Sequence, residues 1–154
     1  MKAIFRILAA AVALTLWHAC MAQDLPAKFD PTRDAGADIA AAATAAKAQH
    51  KRVLVDVGGE WCPWCHILDR FVAANPDVKQ LVEDHYVWVK VNWSPQNRNE
   101  AVLSRWPKVS GYPHLFVLDG DARLLHSQDT GQLEAGHDYD KQKVLAFLRQ
   151  HRAR

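Results

Sequence analysis

Trp61-Cys62-Pro63-Trp64-Cys65-His66 carries two thiols separated by two residues. That spacing brings the second sulfur within bonding distance of the first. A mixed disulfide formed on Cys62 can then be resolved by attack of Cys65, and the pair can cycle between dithiol and disulfide. The position of the pair along the chain favours this chemistry. A β-branched run, Val53-Leu54-Val55-Asp56-Val57, is closed by Gly58-Gly59, and beyond the cysteines Ile67, Leu68, Phe71 and Val72 repeat at helical spacing. Cys62 is therefore predicted at or near a helix N-terminus, where unpaired N–H groups and the positive end of the helix dipole favour an anion. A thiol in that position has a lowered pKa, and the thiolate is the species that attacks disulfides.

Two other chemistries fit the same residues. Cys62-Pro63-Trp64-Cys65-His66 completes the Cys-x-x-Cys-His signature of covalent c-type haem. No methionine follows Met21, so a second histidine or an open site would have to complete such an iron. A permanently oxidised disulfide in a non-catalytic binding module is the other alternative. Structural zinc usually takes four ligands, and the histidines are scattered without paired spacing around a single Cys-x-x-Cys, so no metal is expected.

The elements that must position the thiols follow from the apolar pattern. Asp34 to His50 is Ala-rich and reads as a helix. The Val53–Val57 strand is apolar on both faces and is predicted to be central. The helix after the cysteines is interrupted at Asn75-Pro76, with Asn75 placed as a cap and Pro76 at the first position of a second helix through Val78, Leu81 and Val82. Tyr86 to Val91 is a second strand, Asn92 to Asn99 a polar loop, and a weak helical stretch stops before Pro107. Leu115–Leu118 and Ala122–Ser127 flank Asp119-Gly120-Asp121, a hairpin signal. Asp138 to His151 places Val144, Leu145 and Leu148 on one helical face. Strands alternating with helices, then a hairpin, predict one α/β domain with a mixed sheet between helices.

Three stretches in this order resemble the thioredoxin superfamily. Val53 to Cys65 looks like its strand and active-site turn, with an acid six positions before the first cysteine and a tryptophan directly before it. Lys90-Val91-Asn92 resembles the segment that brings a lysine beside that acid, and Gly111-Tyr112-Pro113-His114 resembles the cis-proline loop facing the sulfurs. The similarity is greatest to exported thioredoxin-like proteins and to the C-terminal thioredoxin-like domain of the bacterial transmembrane thiol-disulfide transporter.

The resemblance implies a thioredoxin fold over residues 34–152, a central mixed β-sheet flanked by helices. It implies Cys62 as nucleophile, Cys65 as resolving thiol, Asp56 as buried proton acceptor for Cys65 and Lys90 as its electrostatic partner. It implies a cis Pro113 that leaves the Tyr112 backbone free to pair with an extended substrate, with Trp61, Pro63 and Trp64 completing the substrate-binding surface. The disulfide itself would be the only redox group, without an organic cofactor. Pro-Trp between the cysteines departs from the Gly-Pro of thioredoxin, and this dipeptide influences redox poise. The acid and the lysine resemble the reducing branch, so a reductant or isomerase-like donor is expected.

The remaining composition limits the partners. The chain has 154 residues, 49% hydrophobic and 23% charged, and 19 Lys+Arg against 17 Asp+Glu give no electrostatic footprint for nucleic acid. Lys2 and Arg6, the apolar run Ile7 to Trp17 and a small residue at Ala22 read as a secretory signal peptide over 1–22, followed by a polar lead over 23–33. The apolar run is well short of the roughly 20 residues a membrane span needs. Cleavage there removes Cys20 and both methionines and leaves Cys62 and Cys65 as the only thiols. Trp17-His18-Ala19 is a poor match to the residues that precede a lipidated cysteine, which argues against anchoring at Cys20. The expected location is periplasmic or secreted. The expected partners are cysteine-containing exported proteins and an upstream membrane or soluble thiol-disulfide electron donor.

Overall fold

Alternation along the first strand divides the molecule into two layers. In β1 (Arg52–Gly58) Val53, Val55 and Val57 join one apolar cluster while Leu54 joins the other, and the period of two puts Asp56 on the Leu54 side. The protein is seen here as a computed structural model that describes residues 24–153. The predicted export segment and Cys20 lie outside the described residues. β1 pairs in parallel with β2 (Tyr86–Asn92) and antiparallel with β3 (His114–Leu118), which pairs antiparallel with β4 (Leu124–Asp129). The order β2-β1-β3-β4 makes the mixed sheet that the pattern predicts, with β1 central.

Helix α1 (Ala35–Ala48) covers the valine face, and its small side chains at Ala42, Ala43 and Ala46 are buried against Val53, Val55 and Val57. Asp34 caps it by accepting from Ala37 N at 2.8 Å. The opposite face is covered by α2 (Pro63–Ala74), α3 (Pro76–His85) and α5 (Lys141–His151), which pack Leu68, Phe71, Val78, Val82, Val144 and Leu148 against Leu54. The weak helical stretch is a single turn, α4 (Glu100–Leu103).

The structure differs from the sequence pattern at three places. The C-terminal helix begins at Lys141, because Asp140 caps it through Gln142 N and Lys143 N. Asp138-Tyr139 upstream instead forms β6, paired with β5 (Glu134–Ala135) after a 3-10 turn over Thr130–Leu133. β4 starts at Leu124 because Ala122 takes a left-handed conformation, φ 58°, in the hairpin turn. Asn75 occupies the cap position between α2 and α3, yet its side chain donates back to Phe71 O at 2.8 Å and makes no cap bond.

Candidate active site

The site forms where β1 ends. Gly58 closes the strand, and a Cβ there would collide with Cys65 Sγ and lie 3.1 Å from Phe29 Cζ, so the backbone passes where no side chain fits. The chain turns through Gly59-Glu60-Trp61, with Cys62 N donating to Gly59 O at 2.9 Å. Cys62 then becomes the N-cap of α2, with Pro63 at the first helical position. Its sulfur accepts from Cys65 N at 3.2 Å, the position in which a helix N-terminus stabilises a thiolate. Cys62 and Cys65 are joined in a disulfide, with Cα atoms 5.3 Å apart. Cys65 is fully covered and Cys62 is 2% exposed.

Behind the disulfide lies a charged chamber. The sheet register places Lys90 beside Asp56, and Lys90 Nζ donates to Asp56 Oδ2 at 3.0 Å. It donates also to Asp69 Oδ1 at 2.7 Å, so one ammonium bridges a buried carboxylate and one on α2 whose side chain is 38% exposed. Burial pushes the Asp56 carboxyl above its ordinary range, and Lys90 only partly offsets this. Burial works to lower the Lys90 pKa, but Asp56 and Asp69 together outweigh it and the net shift is upward. Among the described residues the second oxygen of Asp56 is buried without a hydrogen-bond partner. Phe29 closes the chamber, with its ring packed against both cysteines and its centroid 4.3 Å from Lys90 Nζ.

In front of the disulfide the surroundings are aromatic. Trp61 is 51% exposed and its Nε1 donates to Trp93 O at 2.9 Å. Tyr112 stacks on Trp93 at 5.1 Å between centroids and meets Trp61 edge-on at 5.5 Å, while packing against the buried sulfur cluster. The Tyr112–Pro113 peptide is cis, and the Pro113 carbonyl accepts from Thr130 Oγ1. Pro63 is exposed, whereas Trp64, half-buried, turns inward and meets Tyr139 edge-on at 5.6 Å. Of the two tryptophans singled out beside the cysteines, Trp61 is therefore the one that offers surface. His66 Nε2 lies 2.8 Å from the Glu60 carbonyl. His114 is buried with Nε2 2.8 Å from Ser127 Oγ, and burial lowers its pKa.

The fold thus brings together all nine residues singled out from the sequence, Asp56, Trp61, Cys62, Pro63, Trp64, Cys65, Lys90, Tyr112 and Pro113, and adds Phe29, Asp69 and Trp93. Asp69 was readable in principle, since it lies four residues after Cys65 and so shares its helical face. Phe29 sits in a polar, irregular segment whose composition carries no such signal.

A mixed sheet whose central strand leads into a Cys-x-x-Cys disulfide at a helix N-cap, opposite a proline at the start of the next antiparallel strand, defines a thioredoxin fold of the thiol-disulfide oxidoreductase type. The chain belongs to the thioredoxin-like family, which it matches over residues 34–120. It is 30% identical over 125 residues to the thiol:disulfide interchange protein DsbE of Pseudomonas aeruginosa, covering 79% of this chain and 59% of that one. It is 23% identical over 103 residues to the thiol:disulfide interchange protein DsbD of Citrobacter koseri, covering 67% of this chain and 16% of that one. The chain thus spans less than two thirds of the length of either relative. Among solved structures it resembles a disulphide isomerase from Xylella fastidiosa Temecula1, with TM-score 0.67 and 26% identity over 82% of this chain and 96% of that one. The oxidised C-terminal domain of DsbD from Neisseria meningitidis shares the fold, with TM-score 0.55 and 23% identity over 82% of this chain and all of that one.

Proposed function

We propose that this protein is an exported thiol-disulfide oxidoreductase that exchanges electrons with cysteines of other extracytoplasmic proteins, in the reducing or isomerising direction. The observation that carries the reading is the Cys62–Cys65 disulfide at the N-cap of α2 with the Asp56–Lys90 pair buried behind it. The names of the relatives, interchange proteins and an isomerase, support it. The apolar leader supports an extracytoplasmic location.

In the reducing direction, Cys62 thiolate attacks one sulfur of a partner disulfide, forming a Cys62–partner bond, and the displaced partner thiolate takes up a proton. Cys65 gives its proton to Asp56, and the resulting thiolate attacks Cys62 Sγ. The partner leaves as a dithiol and the Cys62–Cys65 disulfide forms. An upstream membrane or soluble dithiol must then return two electrons and two protons. Burial raises the pKa of Asp56, which makes its carboxylate a stronger base, and so a better acceptor of a thiol proton, than an ordinary aspartate. The disulfide is the redox group throughout, and no organic cofactor enters these steps. Trp61, Pro63 and the Tyr112 backbone beside Pro113 form the surface on which an extended partner segment would lie, while Trp64 supports it from within against Tyr139.

The test is to equilibrate the purified protein with dithiothreitol and glutathione buffers and to assay its acceleration of protein-disulfide reduction. A bond that opens in these buffers together with accelerated reduction is expected. A bond that dithiothreitol cannot open, without acceleration, would establish a structural disulfide and a binding module instead.

A further inference from the structure

The polar lead before α1 is tied to the domain at several points, and each tie serves to place one side chain. Phe29 N donates to Glu60 Oε1 at 3.0 Å, in the turn that delivers Cys62. Asn97, in the polar loop after β2, donates through Nδ2 to Pro31 O and Arg33 O, both at 3.0 Å. Arg33 pairs with the buried Asp38 and donates to Asp24 O at 3.1 Å. Between these ties Phe29 is 2% exposed, in a segment whose other residues are exposed or half-buried. Its ring lies against Gly58, the two cysteines and the Lys90 ammonium, and so fills the rear wall of the chamber. An aromatic face at this distance also attracts the ammonium.

We propose that Asp24–Arg33 is a strap that holds Phe29 as a positioning residue behind the disulfide, where its ring shields Cys65 and confines thiol exchange to the Cys62 side. The inference rests on the thiol-exchange reading for its purpose, but its test does not. Shielding is measured on the reduced thiols and needs no turnover, so the strap and the oxidoreductase reading can fail separately.

The experiment is to reduce the purified protein with a phosphine, expose it to iodoacetamide, and follow alkylation of each cysteine by mass spectrometry. In the wild type Cys62 reacts and Cys65 lags far behind. Phe29→Ala should raise the Cys65 rate about tenfold or more by opening the rear wall, with the Cys62 rate within about twofold of wild type. Phe29→Leu, which restores most of the volume, should return Cys65 to slow reaction. Asn97→Ala loosens the strap without touching Phe29 or the cysteines, and should raise the Cys65 rate by a smaller factor. A folded Phe29→Ala protein whose Cys65 stays as slow as in the wild type would overturn the proposal, as would equal acceleration of both cysteines. If Phe29→Ala does not fold, Asn97→Ala decides, and a Cys65 rate equal to wild type counts against the strap.

Discussion

The two sides of the Cys62–Cys65 bond are built from different materials. The front is neutral and aromatic, with Trp61, Trp93 and Tyr112 in mutual edge and stacking contact and Trp61 half in solvent. The rear is charged and closed, with Asp56, Lys90 and Asp69 in one ion-paired row behind Phe29. The difference separates two requirements of thiol exchange. A partner must be gripped by contacts that tolerate many sequences, which aromatic surface provides. A proton must be moved at Cys65 in a place where water does not compete, which requires a buried acid held by a counter-charge. The front residues lie in loops at the end of the sheet, while the rear charges stand on β1, β2 and α2.

The largest test of this division is at the sulfurs. Cys62→Ser should reduce turnover by orders of magnitude and capture no partner. Cys65→Ser should accumulate mixed disulfides through Cys62, seen as a reductant-sensitive shift on non-reducing gels. If both variants capture partners equally, front and rear are not distinct in function.

The next effect is at the rear. Asp56→Asn should slow turnover by about 10²-fold, the usual scale of a proton-transfer group, with little change in partner binding. Its stability should move the other way. An acid whose folded pKa is raised above its ordinary 3.8 loses stability as pH rises from that value towards the folded one, and stays destabilising above it. Asp56→Asn should therefore raise the melting temperature at neutral pH and leave it nearly unchanged near pH 3. A drop at neutral pH would mean that the Lys90 contact outweighs the burial of the charge.

The front was largely legible in the sequence and the rear only in part, for a physical reason. Trp61 to Cys65 and Tyr112-Pro113 are contiguous motifs in which residue order and geometry coincide. Asp56 and Lys90 are far apart in sequence and meet because β1 and β2 pair in register, which the resemblance implied and the strand pattern alone did not specify. Phe29 N is bonded by Glu60 and the segment just after it, at Pro31 and Arg33, by Asn97, and these polar side chains have no periodicity to betray a tertiary contact. The same limit applies to β5 and β6, two-residue strands too short for alternation to register. In the sequence pattern Asp138-Tyr139 therefore merges with the helix that follows it.

Tyr112 tests the front with a smaller effect. Its ring packs against the cluster of Phe29, Cys62 and Cys65, in which both sulfurs are almost fully covered, so Tyr112→Ala should make the disulfide more accessible. The disulfide should then open severalfold faster with dithiothreitol, while exchange with a protein disulfide should weaken, because a gripping face is lost. Stopped-flow fluorescence of Trp61 and Trp64 would follow the opening. Parallel loss or gain with both reagents would mean that Tyr112 does not separate access from recognition.

Asp69 should show the smallest effect, because it is partly exposed and solvent screens its charge. Its carboxylate contributes to the upward shift at Asp56 and to that at Lys90. Asp69→Asn should therefore move the acid limb of the turnover profile to lower pH, since the proposed mechanism requires Asp56 to be ionised when it takes the proton from Cys65. Turnover at neutral pH should change by no more than a few-fold. At the alkaline end the sign is set by Lys90. Its raised pKa contributes stability that is present below 10.5 and lost as pH rises through the folded value, so removing Asp69 should bring alkaline unfolding to lower pH. An acid limb that stays in place while the alkaline midpoint falls would confine Asp69 to holding Lys90 and leave the acidity of Asp56 to burial alone.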